Sequence, residues 1–458
     1  MSADGAVPVL GPPRDALDIA VIGAGISGMA CAWLLSQRHR VTLYEREGRL
    51  GGHSNTIDVR CGDTIVPVDT GFIVYNERNY PNLTQLFRHL DVPTEATDMS
   101  FGVSLDRGRL EYNAGDWLGL AAQPMNLLRP RYWRMLSDVL RFFRGAPALL
   151  DEQGPGMSLG AWLARERFGR GFIDDHLLPM GAAIWSVPPR EMLEFPARSF
   201  VQFFRNHGLL ELLDRPRWRT VSGGSREYVR RLMEDSASST RVAAAVTDLR
   251  RSGRDVVVTD RLGAVRRFDH AVIAAHADEA LTMLGDASSR ERAVLGAFRY
   301  QRNRAVLHRD AALMPRRRRA WAAWNYIAER PAYADLDLSV SVTYWMNQLQ
   351  NLDRRWPLFV TLNPIIEPRD ELTIASFDYD HPAYDAGALA AQQELPAIQG
   401  LRQIWFCGSY CGYGFHEDGL AAGLAVAERF GVRRPWANEP AVTGAAEFMP
   451  ERAAAGAR

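Results

Sequence analysis

The chain has 458 residues, 47% of them hydrophobic, which is enough to bury the cores of two or more domains and rules out a small stapled module. Acidic and basic residues balance at 54 each, so no overall field gathers nucleic acid, and no nucleic-acid partner is expected. Four cysteines (Cys31, Cys61, Cys407, Cys411) are too few for a disulfide framework and none forms a CxxC pair, so a reducing, cytoplasmic setting without a metal centre is expected.

After a leader ending near Arg14, Asp18 to Ile22 reads as a buried parallel strand, Gly28 to Gln37 as the helix it feeds, and Arg40 to Glu45 as a second strand. The charge-free run from Ile19 to Leu35 contains Gly23, Gly25, Ser27 and Gly28 and is preceded by Asp18, so it reads as strand, turn and helix and not as an anchor. No other stretch approaches the roughly 20 apolar residues a membrane span requires. Strand, turn, helix, strand is the opening unit of a doubly wound sheet. Tyr80 to Trp218 and Phe298 to Gln399 are rich in Trp, Tyr and Phe and read as two insertions. Between them, Val256 to Asp260 and Phe268 to Ala274 alternate like strands of a small sheet, with a turn at Leu262-Gly263. Gln403 to Phe406, followed by a helix from Asp418 to Phe430, repeats strand then helix, and from Arg434 the chain reads as a disordered tail. The expected fold class is therefore α/β. A Rossmann-like domain is assembled from residues 15–79, 219–297 and 400–433, a mixed α+β substrate domain from 80–218 and 298–399, and residues 1–14 and 434–458 form flexible tails.

The turn Gly23-Ala24-Gly25-Ile26-Ser27-Gly28 carries the first chemistry. Its first glycine permits the tight turn, its second lets backbone approach a pyrophosphate, and its third lets the helix pack on the strand; the helix N-terminus then faces the negative charge. Glu45 closes the second strand, where a carboxylate can accept hydrogen bonds from ribose hydroxyls. The paired glycines in Arg46-Glu47-Gly48-Arg49-Leu50-Gly51-Gly52-His53 let a second backbone segment close over the diphosphate, which points to FAD and not NAD. No second GxGxxG follows a strand, so a separate nicotinamide domain is not expected.

These motifs resemble the FAD-dependent amine oxidase and phytoene desaturase superfamily, in which the acid at the strand end is followed by RxGGR. Arg49, Gly51 and Gly52 match, and His53 stands in place of the second arginine. Thr70-Gly71-Phe72 after Asp69 resembles the segment beside the flavin, Val221-Ser222-Gly223-Gly224 the returning turn, and Arg241 to Leu249 the strand that meets the adenine, with Val246 as the contact. Gly408-Ser409 and Asp418-Gly419-Leu420-Ala421 resemble the closing motif, whose helix N-terminus stabilises the charge of reduced flavin. The resemblance implies an FAD-dependent oxidoreductase with a two-domain, amine oxidase-like architecture.

A closer resemblance is to bacterial flavoproteins related to the domain fused to plant cyclopropane fatty acid synthases. It rests on Asp69 to Asn76, Val342 to Asn347, Asp380-His381-Pro382 and Gly412 to Gly419. It implies a lipid acyl substrate, desaturation of a methyl-branched acyl chain en route to furan fatty acids, and a partner methyltransferase of the cyclopropane fatty acid synthase type. The amine oxidase branch often uses a lysine at the flavin, and this chain contains none. That leaves an amine or polyamine oxidase as the alternative enzyme and a non-catalytic, flavin-containing lipid-binding protein as the alternative of another class. His416 is the candidate for proton handling, with Glu417 or Tyr344 as its helper, and Tyr344, Tyr410 and Tyr413 are candidates to lie near the ring. Arg129 to Arg144 combines aromatics with arginines in a helix able to lie on a membrane surface, and Arg316 to Arg319 adds a second basic cluster.

Overall fold

The computed structural model describes residues 16–152, 156–185, 189–206, 208–210, 216–329 and 339–437; the leader and the chain after 437 lie outside them. Strand β1 (Asp18–Ile22) is almost wholly buried and leads through the glycine turn into helix α1 (Ile26–Ser36), then β2 (Arg40–Tyr44). Ile19, Ala20 and Val21 have no exposure, as a central parallel strand covered on both faces requires. The sheet runs Ser239–Arg241, β2, β1, His270–Ile273, Ile404–Phe406, and every pairing is parallel. Distant stretches of chain thus complete one sheet.

Here the sequence reading needs three corrections. Phe268 to Ala274 is not one strand. Val265–Phe268 ends an antiparallel three-stranded sheet with Val246–Ser252 and Asp255–Asp260, whereas His270–Ile273 enters the parallel sheet. Asp269 makes the switch, because its carboxylate accepts the Asp18 N–H at 2.7 Å while its own N–H donates to the Asp18 carbonyl. Likewise Arg241 to Leu249 divides at Ala243, whose left-handed φ of 52° turns the chain so that the N–H groups of Ala243 and Ala244 meet the carbonyls of Glu47 and Glu45. Finally, the first part of the expected tail is docked: Arg434 pairs with Glu428, and Trp436 stacks on Trp33 with ring centres 6.0 Å apart.

The insertions build a second, seven-stranded sheet in the order Thr373–Ala383, Arg299–His308, Phe359–Leu362, Ser339–Trp345, Trp324–Glu329, Phe101–Leu105, Leu110–Asn113. Helices between Pro130 and Asn206, among them Pro130–Gly145 and Ala197–Asn206, pack their aromatic faces together in a separate cluster. The closing helix His416–Glu428 starts two residues before the expected Asp418 and lies directly on α1, where Gly423 brings its backbone against the Ser27 carbonyl. No helix among the described residues is long and apolar enough to cross a membrane.

Candidate functional site

At the end of β1 two glycine-bearing segments meet. A side chain at Gly52 would place its Cβ 3.1 Å from the Gly25 Cα, while one at Gly25 would meet nothing within 4 Å. The Gly25 side of the turn therefore opens onto free space, bounded by the Gly51-Gly52 turn and by the N-terminus of α1. That terminus has no side-chain cap and no acid in its first turn, so its N–H groups and dipole are available to an anion. Ile26 and Ser27 begin the helix and Gly28 lies against the Gly23 carbonyl, where a Cβ would come within 1.8 Å.

Glu45 is buried, and its two oxygens accept the N–H groups of Ala24 at 2.9 Å and Glu47 at 2.8 Å. The carboxylate thereby ties the glycine turn to the end of β2 and keeps lone pairs for a diol. Arg49 donates to the Gly52 carbonyl at 2.9 Å and has no carboxylate partner among the described residues. Arg46, expected beside the diphosphate, forms ion pairs with Glu279 and Glu47. Val246 follows Ala244, which is bonded to Glu45, so the 241–246 segment runs alongside the proposed ribose position.

His53 stands at the position of the family's second arginine. Its ring lies 4.9 Å from Tyr379 and 5.4 Å from His381, its Nε2 is buried without a partner, and burial pushes its pKa well down, so it is neutral. Gly71 packs its Cα face on the His53 carbonyl, which also accepts the Phe72 N–H at 2.8 Å, and Thr70 Oγ1 shares a hydrogen bond with Tyr379 Oη at 2.7 Å. The segment Thr70 to Phe72 is thereby fixed between His53 and His416.

His416 stacks on Phe72 with ring centres 3.9 Å apart, and its Nε2 shares a 2.8 Å hydrogen bond with Tyr228 Oη, which in turn contacts Ser54 Oγ. Burial pushes the imidazole down to about 3. The residue keeps partial accessibility. Tyr228 was missed by the sequence reading; it follows the Gly223-Gly224 turn in the Arg226–Glu234 helix, and only tertiary contact brings it to His416.

The remaining candidates have other partners. Glu417 caps α2 (Pro81–His89), with its carboxylate accepting the N–H groups of Asn82 and Leu83 and the Asn82 side-chain amide; burial raises it to about 7. Asp418 Oδ2 accepts the N–H groups of Tyr413 and Phe415, and burial likewise raises it to about 7. Tyr413 lies against Phe203 of the Ala197–Asn206 helix, and Tyr344 packs edge-on to Trp324, 5.4 Å away, in the second sheet. Neither touches His416. Gly408 and Ser409 begin the closing loop, where the Ser409 carbonyl accepts the N–H groups of Gly412 and Gly414. Gly419 meets Ile26 and Ser27 of α1, Leu420 is buried in the core, and Ala421 stays partly accessible beside it. The Cys407 thiol is hydrogen-bonded to that of Cys31, and both are buried and free.

The open glycine cradle, an uncapped helix N-terminus, an arginine without an acid partner and a second helix start together fit a flavin dinucleotide. Comparison with known proteins agrees. Residues 26–301 match the family model for flavin containing amine oxidoreductase. A carotenoid phi-ring synthase of Streptomyces griseus is 46% identical over 79 residues, a match spanning 17% of this chain and 15% of that protein. Three solved structures share the fold, each with a TM-score of 0.65. The Exiguobacterium sp. 255-15 protein described as a protoporphyrinogen oxidase is 17% identical, covering 91% of this chain and 99% of its own. A fatty acid isomerase of P. acnes that produces CLA is 15% identical, covering 92% and 100%, and a variant putrescine oxidase is 13% identical, covering 91% and 99%. The chain belongs to the flavin containing amine oxidoreductase family and is an FAD-dependent oxidoreductase.

Proposed function

We propose that this oxidoreductase removes hydrogen from a lipid acyl chain, with a methyl-branched acyl phospholipid on the way to a furan fatty acid as the substrate. Bound FAD supplies the two-electron acceptor. The chain's own task is to hold an apolar carbon beside it and to receive a proton. The observation that carries the reading is the state of the acids at the closing helix. Glu417 and Asp418 are both taken up by backbone N–H groups of the protein, and burial disfavours the charged form of each, so neither carboxyl is set out to bind a substrate ammonium.

The surroundings are apolar. Phe415 stacks on Phe203 at 5.0 Å and Phe72 covers His416, while the sequence has no lysine. His416, anchored through Nε2 to Tyr228, is the group we assign to proton handling, passing the proton along that hydrogen bond, since burial disfavours a charge held on the imidazole itself. Two of the similar proteins are named for apolar compounds, a carotenoid ring and a fatty acid. A methyltransferase that introduces the branch is the partner this route requires.

The family's own description supports an amine or polyamine oxidase as the second reading. Anaerobic mixing of the FAD-loaded protein with methyl-branched phospholipid in detergent, and separately with polyamines, decides between them. Bleaching of the flavin absorbance by the phospholipid and not by the amines is expected. Bleaching by amines alone overturns the acyl reading, and bleaching by neither leaves a lipid-binding flavoprotein without turnover.

A further inference from the structure

At the 117–133 stretch the surface carries large apolar side chains in solvent. Trp117, Leu118, Met125 and Leu128 are 81%, 70%, 60% and 74% exposed, and Trp133 is 51% exposed. They belong to one surface. The Trp133 indole N–H donates to the Leu127 carbonyl at 2.7 Å, and Tyr132 Oη donates to the Leu120 carbonyl at 2.9 Å, so the 117–128 segment is fastened onto the first turn of the Pro130–Gly145 helix. That helix turns Tyr132, Met135, Asp138 and Phe142 inward; its outer face is Trp133, Arg134, Ser137, Leu140, Arg141 and Arg144, without an acid.

The charge on this surface is one-sided. Arg129, Arg134 and Arg144 have no carboxylate partner among the described residues, whereas Arg131 pairs with Asp175 and Arg141 with Asp138. The second basic cluster of the sequence lies alongside, because the Arg318–Ala320 turn packs against the Trp117–Leu120 helix. Arg316 and Arg319 there are exposed and also lack an acid partner, while Arg317 is taken up by buried Glu111. Of the exposed acids nearby, Asp116 caps the Trp117–Leu120 helix, and Glu152 and Glu166, beyond the far end of the Pro130–Gly145 helix, pair with Arg165.

We propose that this surface docks on a bilayer containing anionic phospholipid, with Trp117, Leu118 and Leu128 entering the headgroup boundary and the surrounding arginines meeting lipid phosphates. Trp117, Leu118 and Leu128 are the most exposed of these apolar groups and stand beside arginines without acid partners, a pairing of apolar and cationic groups that suits an anionic lipid surface. Exposed tryptophan flanked by arginine has one apolar body and one polar edge to satisfy at once, and the boundary of a bilayer offers both. A patch of this kind is unusual on a surface that meets only water. Behind it, rings run inward from Phe142 to Phe204 at 6.0 Å, Phe203 at 6.3 Å and Phe415 at 5.0 Å, the residue before His416. The docked face is thus the outer wall of the aromatic layer that reaches the site. The proposal does not depend on which substrate the flavin oxidises.

The test is flotation of the full-length, FAD-loaded protein with phosphatidylcholine vesicles, with and without phosphatidylglycerol. Binding only to the anionic vesicles, weakened by added salt, is expected. A Trp117→Ser, Leu118→Ser, Leu128→Ser variant should bind at least about tenfold more weakly with unchanged flavin content and thermal midpoint, since these side chains support no core, and an Arg134→Glu, Arg144→Glu variant should lose the preference for phosphatidylglycerol. Failure of the wild-type protein to float, or equal binding by both variants, overturns the proposal. So does a wild-type dimer that the serine variant converts to monomer without affecting flotation, because the patch is then an interface between copies. Bleaching with detergent-dispersed lipid tests the acyl reading separately, so the two can fail independently.

Discussion

At Gly25 the empty space is itself the functional feature. Its φ of −72° is open to any residue and an added Cβ touches nothing, so Gly25→Val is expected to fold normally while filling the cradle. The expected result is at least tenfold weaker FAD binding, about 1.4 kcal/mol, in a flavin titration of protein with an unaltered unfolding curve. Retention of full affinity would remove the diphosphate from this position.

Asp418 makes a prediction of opposite character. Burial raises its carboxyl to about 7, and a group raised above its unfolded value contributes stability that is present below the unfolded pKa and lost as pH climbs through the folded one. Wild-type protein therefore loses this contribution between the ordinary aspartate range and about 7, and Asp418→Asn does not. The stability of the variant relative to wild type should rise between about pH 5 and about pH 8 in denaturant titrations. A flat difference would show that the carboxyl titrates normally.

Among elements, the contact between α1 and the closing helix is the most exacting. A Cβ on Gly423 would come within 2.1 Å of the Ser27 carbonyl, which belongs to backbone and cannot rotate away. Gly423→Ala is expected to destabilise by about 1–3 kcal/mol or more, despite alanine's better helix propensity, and to release flavin by parting the two helix starts. Equilibrium unfolding with an unchanged m-value would measure the first effect and the protein-bound absorbance the second. Asp69 provides the complementary restraint: its carboxylate receives the Ser225 N–H and hydroxyl, Thr56 Oγ1 and the Gln350 amide, joining the flavin-side segment to the returning Gly223-Gly224 turn. Burial raises it to about 6, and four donors hold it in place.

For the whole molecule, a single strand-fed GxGxxG implies a single dinucleotide. NADH or NADPH added anaerobically should leave the flavin oxidised, and prompt bleaching by either would require a nicotinamide site built without that motif. The two sheets also divide the work. The parallel sheet presents backbone termini to charge, whereas the seven-stranded sheet and the aromatic helices supply side-chain volume.

The local motifs were legible because their physics is local. A glycine turn between a buried strand and a helix, an acid at the next strand end and a second pair of glycines are recognisable from sequence alone, and β1, β2 and the final strand lie within a residue or two of where periodicity put them. Partnership was not legible, because it depends on contacts between residues hundreds of positions apart. His416 was found by its place before a helix, but Tyr228, 188 residues away, became visible only through its hydrogen bond. Glu417 and Arg46 looked like site residues by spacing, and only the folded chain shows one turned to the start of α2 and the other to Glu279. The division of Phe268 to Ala274 between two sheets was decided in the same way, by Asp269 meeting Asp18 across 251 positions of sequence. Backbone geometry is written in neighbouring residues, whereas the direction a polar side chain takes depends on which donors and charges the rest of the fold brings to it.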